Sequence, residues 1–139
     1  MGELSSNDEV YKKDDIDKNF QSGDVLSESE DTNSTSGFVQ KCTITFNALM
    51  SGYYIIQWYY EVSNEHNTKR TEVRIQLDDT ADLGRDLSDP TNNNNYHQKS
   101  GFAKNELSAG NHKIDIDYRS LSNGGVSKIR NARIYINKI

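Results

Sequence analysis

Between Tyr53 and Val62 the chain reads "YYIIQWYYEV", a run in which bulky side chains fall on both sides of a two-residue repeat. Period two belongs to a strand, whose successive side chains point to opposite faces; a helix returns its apolar residues every three or four positions. One face holds Tyr54, Ile56, Trp58, Tyr60 and Val62. The other holds Tyr53, Ile55, Gln57, Tyr59 and Glu61, grading from apolar to charged. The same alternation returns in "FVQKCTITF", with Phe38, Cys42, Ile44 and Phe46 on one face and Lys41, Thr43 and Thr45 on the other. In "TEVRIQL", Val73, Ile75 and Leu77 point inward; in "HKIDIDYRS", Ile114, Ile116 and Tyr118 do so, opposite Lys113, Asp115, Asp117 and Arg119. "SKIRNARIYINKI" alternates with Ala132, Ile134 and Ile136 inward, and a weaker strand is expected around "SGFAKNEL".

Turn residues separate these runs. Ser51-Gly52, Ala109-Gly110-Asn111 and Asn123-Gly124-Gly125 tolerate positive φ at the places where a hairpin must reverse. Asp78 to Gln98 reads as a long polar loop holding the only proline, Pro90. No helical stretch of 10 residues competes. Six or seven short strands in about 100 residues predict an all-β, antiparallel sandwich.

Such a sandwich has little to bury. Hydrophobic residues make up 33% of the 139-residue chain and the mean hydropathy is −0.87. Fully burying one large apolar side chain stabilises by roughly 1.5–3 kcal/mol, so the expected core is Phe46, Tyr54, Ile56, Trp58, Tyr60, Ile75, Ile114 and Ile116. The Trp58 row is thereby assigned to packing rather than to a ligand platform. Tyr53, Ile55 and Tyr59 remain on the opposite face, where contiguous apolar surface marks a contact between subunits.

Charge divides the chain. Residues 1–36 hold ten acids against three lysines, net −7, whereas residues 37–139 hold 11 acids and 13 bases, net +2. The first part is Ser/Thr/Asp/Glu-rich and without sustained period, so it reads as an extended acidic arm that is disordered alone. Its spaced apolar residues, Tyr11, Ile16, Phe20, Val25 and Leu26, are the expected anchors on a partner. An acidic arm and a near-neutral body argue against nucleic-acid binding. No run of 18 apolar residues predicts a membrane span, and MGELSSNDEV lacks an export-signal pattern.

Chemistry is sparse. Cys42 is the only cysteine and falls on the apolar face of its strand; His66, His97 and His112 sit in dissimilar contexts without a nucleophile motif. Asp78, Asp79, Asp82, Asp115 and Asp117 supply oxygen ligands that a calcium ion would accept, but Lys113, Arg74, Arg119, Arg130 and Arg133 are at hand to pair with them. The reading is a non-enzyme with no cofactor and no metal.

"LMSGYYIIQWYYEVS", "VRIQLDDT", "SGFAKNELSAGNHKIDIDYRS" and "KIRNARIYI" together resemble the small jelly-roll modules of tailed-phage virion proteins, found in capsid decoration (cement) proteins and in head or tail fibres. The resemblance covers about residues 37–139. It implies a jelly-roll sandwich and a homotrimer, with the major capsid protein or another virion protein as the partner of the arm. The expected place is the virion surface. The competing class is a receptor- or glycan-binding module of a fibre or baseplate, served by the loop "SDPTNNNNYHQ" and its Tyr96.

Overall fold

A computed structural model describes residues 21–92, 94–121 and 124–139. Among them the chain forms nine strands: β1 (Ser22–Ser27), β2 (Asp31–Asn33), β3 (Val39–Ala48), β4 (Gly52–Asn64), β5 (Thr71–Leu77), β6 (Ala81–Leu87), β7 (His97–Leu107), β8 (Gly110–Ser120) and β9 (Ser127–Lys138). One sheet runs β1-β9-β4-β7, with β2 also paired to β9, and the other runs β3-β8-β5-β6. Every pairing is antiparallel. The molecule is an all-β jelly-roll sandwich.

The core lies where the alternation puts it. Phe46, Tyr54, Ile56, Tyr60, Ile75, Ile114 and Ile116 are buried together with Val62, Val73, Ile129, Ile134 and Ile136. Phe46 and Tyr54 meet edge to face, with ring centroids 5.5 Å apart. Trp58 is the exception, half-buried at the margin of this cluster. Its indole occupies the gap between the two sheets at the β6 and β7 edges. A Cβ on Gly84 would come within 2.6 Å of the ring, and one on Gly101 within 2.7 Å. Two glycines therefore make room for one tryptophan, which lines a depression of about 200 Å³ together with Gly84, Arg85, Lys99 and Gly101.

Three expectations need correction. The first is the arm: Ser22–Ser27 and Asp31–Asn33 are strands of the five-stranded sheet, not a free tail. Val25 packs on the core from β1, while Leu26 on the same strand is exposed. Composition failed there because an edge strand turns only alternate residues inward, and here the half-buried ones include Gly23 and Ser27, which carry no hydropathy signal. Tyr11, Ile16 and Phe20 lie outside the described residues. The second is the supposed loop, in which Ala81–Leu87 is an edge strand that sends Leu83 onto the core.

The third is Phe38. The register of β3 against β8 shifts between Gln40 and Cys42, an extra residue that reverses the facing of everything before it. Phe38 consequently leaves the core side and lies under the guanidinium groups of Arg74 and Arg119, at 4.0 and 4.3 Å from its centroid. Lys41, expected outward, has a fully enclosed side chain that pairs with Asp31 at 2.8 Å. A second irregularity lies in β9, where Asn131 adopts a φ of 52° opposite the Tyr59–Glu61 step of β4. Asparagine tolerates that conformation better than a branched residue.

Candidate interaction face

The outer face of the five-stranded sheet carries the residues left over from the core. Reading across the strands, Asp24, Tyr135, Gln57 and Phe102 form one row; Leu26, Arg133, Tyr59 and Ser100 form the next. Asn137, Ile55 and Lys104 form a third, and Tyr53 stands opposite Glu106 beyond it. Tyr53 is 49% exposed, Leu26 52% and Phe102 71%, with Tyr135 also exposed. The topology thus brings Tyr53, Ile55 and Tyr59 onto one face of a central strand. It adds Phe102, Tyr135 and Leu26, which the alternation of β7, β9 and β1 puts on the same side. Phe102 was legible in "SGFAKNEL" once the face of that strand is fixed by its pairing with β4.

Polar contacts hold this face in shape. The Tyr59 hydroxyl donates to a Glu61 carboxylate oxygen at 2.6 Å, and Arg130 Nε donates to the other at 2.7 Å. Tyr59, first, and Arg130 then hold the Glu61 carboxyl below the usual carboxylate range. Arg133 grips Asp24 through two nitrogens, at 3.0 and 2.8 Å, and lowers the Asp24 carboxyl in the same way. Between these pairs lies a shallow depression of about 320 Å³ lined by Gln57, Trp58, Tyr59, Arg133 and Tyr135. Lys104 Nζ sits 4.8 Å from the centre of the Tyr53 ring, so even the most open tyrosine has a charged neighbour.

The opposite sheet is charged and laced with ion pairs. Arg74 donates to Asp117 at 2.9 Å, Arg119 binds Glu72 at 2.6 Å, and Arg85 bridges Asp82 at 2.8 Å and Glu72 at 3.3 Å. Lys113 pairs with Asp79 at 2.9 Å and lies 3.6 Å from Asp115. Burial raises the Asp117 carboxyl despite its arginine. The five aspartates that sequence alone nominated as oxygen ligands are drawn to basic partners, Asp78 to His112, Asp82 to Arg85, Asp117 to Arg74, and Asp79 and Asp115 to the shared Lys113. Among the described residues no three acidic, histidine or cysteine side chains converge as a metal site.

Tyr96, the residue nominated for stacking on sugar, is already engaged. Arg130 lies 3.7 Å from the centre of its ring, and its hydroxyl hydrogen-bonds Glu30. One ring face and the polar tip are therefore taken. His112 is likewise committed: Nδ1 faces Asp78 at 2.8 Å, and Nε2 faces the Ser108 carbonyl at 2.7 Å. The Ser108 hydroxyl is 3.5 Å away. With Nε2 occupied by a carbonyl acceptor, the ring has no lone pair left to activate that hydroxyl. Burial drives the Cys42 thiol up to about 12, which removes it as a nucleophile near neutrality.

No protein-family model matches the chain, and no curated protein matches it by sequence. Solved structures do match in shape. The chain is similar to the Eiger TNF of S. frugiperda, with a TM-score of 0.58 and 8% identity over 86% of this chain and 92% of that one. It is similar to a chain of infectious bursal disease virus strain Gx, at 0.59 and 6% over 85% of this chain and 32% of that one. Latent PorU of Porphyromonas gingivalis matches at 0.53 and 11%, over 86% of this chain and 13% of that one. At such identities the likeness establishes the jelly-roll fold alone.

Proposed function

We propose that the chain is a non-enzymatic structural module of a bacteriophage virion, a capsid decoration protein. Its sandwich assembles as a homotrimer through the Tyr53, Ile55 and Tyr59 face. Residues 1–20 grip the major capsid protein or another virion protein. The observation that carries this reading is the exposed aromatic face of the five-stranded sheet. Exposed rings grouped on one sheet face among polar residues favour a contact between copies. The leader supports the second half: residues 1–20 hold six acids, three lysines and the spaced apolar residues Tyr11, Ile16 and Phe20. A segment that orders on its target covers much surface for its length, and three tethered together add avidity. The bursal virus similarity is compatible with a virion role and carries no more than the fold.

Removing residues 1–20 tests the division of labour. The shortened protein is expected to stay folded and trimeric and to lose its association with phage shells in co-sedimentation. Undiminished binding by the shortened protein would refute the anchoring role.

A further inference from the structure

The aromatic face carries a knob and a hole. Phe102, at 71% exposure the most open large hydrophobic side chain among the described residues, projects from β7, the strand at the free edge of the sheet. Beside it, across Gln57, lies the depression rimmed by Gln57, Tyr59, Arg133 and Tyr135. Phe102 does not fill that depression in its own copy, because it stands on the neighbouring strand and points outward. Yet the depression suits a phenyl ring. Two tyrosines wall it, an amide stands at one corner, and a guanidinium stands at another, where it can lie over a ring face. The corners are fixed before any ring arrives, Tyr59 by Glu61 and Arg133 by Asp24, so little order is lost on insertion.

We infer that Phe102 of one copy inserts into the Gln57–Tyr59–Arg133–Tyr135 depression of a second copy of this chain. Two further features select a second copy as the occupant. Charges on the exposed part of the face balance, Asp24 and Glu106 against Arg133 and Lys104, which makes the surface self-complementary and unsuited to a polyanion. A face four strands wide and five outward residues long spans roughly 600 Å², so a ring of three that covers it buries roughly 1,800 Å² in all, shared over three contacts. Knob and hole occupy different places on the face, so the contact can run from copy to copy around a closed ring.

This inference rests on the proposed self-assembly and is tested apart from it. The full chain is made with the photoreactive phenylalanine analogue benzoylphenylalanine at position 102 and mixed with an isotopically labelled wild-type chain. After irradiation, the expected cross-links join position 102 of one label to residues 57–59 or 133–135 of the other. Phe102→Ser is expected to weaken association about tenfold or more, as loss of a buried aromatic anchor does, with an unchanged melting temperature. An assembled protein whose inter-copy cross-links map elsewhere overturns the insertion and leaves self-assembly standing. A protein that is monomeric by native mass overturns both.

Discussion

At the scale of single residues, the molecule depends on a few side chains whose places are set by their neighbours. Trp58 is held by the absence of side chains at Gly84 and Gly101, so Gly101→Ala should force the indole or the β7 backbone to shift. Overpacking of this kind costs about 1–3 kcal/mol, read as a lower urea midpoint with a changed emission from the chain's only tryptophan. His112 gives a pH signature. Burial alone would pull its imidazole down, but the Asp78 carboxylate, the Ser108 carbonyl and the Asp78 charge outweigh it, and the net direction is up from 6.5. A group raised in the folded state stabilises fully below its unfolded value, and that stabilisation fades as pH climbs through the folded one. Wild type should therefore lose stability relative to Asp78→Asn as pH is raised from about 6 to about 9, with the difference between their urea midpoints shrinking over that window. A constant difference would remove His112 from the account. The face assignments of Tyr54, Ile56 and Tyr60 were readable from alternation, since a period of two leaves no choice once one residue is placed. Phe38 was not, because a single inserted residue in β3 reverses the facing without any mark in composition.

At the scale of elements, the edges were the hardest to read. β4, β8 and β9 are flanked on both sides or covered by a sheet, and their branched and aromatic runs say so. β1 and β6 each pair on one side only. Their inward positions include Gly23 and Gly84, which do no apolar packing of their own but let Phe46, Ile136 or Trp58 come close. Such strands look like linkers in a hydropathy pattern. The candidate face divided the same way: its β4 half was visible in "YYIIQWYYEV", while Phe102, Tyr135 and Leu26 joined it only through pairing. The distinction has a measurable consequence. Deleting residues 1–20 removes no described strand, whereas deleting residues 1–36 strips β1 and β2 from β9 and the Asp31 partner from the enclosed Lys41 amine. The longer deletion should melt far below the full chain or fail to fold, and the shorter should melt with it. Equal melting of both would return residues 22–36 to the status of an arm.

At the scale of the whole molecule, the sandwich has two unlike outer faces. The four-stranded sheet closes its surface with arginine–carboxylate pairs and leaves little to offer a partner. The five-stranded sheet keeps rings in the open at Tyr53, Phe102 and Tyr135, a cost in solubility that a lone copy would bear without return. That asymmetry supports the proposal that the module is one part of an assembly. The native mass of the purified full chain, set beside that of Tyr53→Lys with Ile55→Lys, puts it to the question most directly. The expected result is a trimer for the wild type and a folded monomer for the double variant. A wild type that stays monomeric across the accessible concentration range would contradict it.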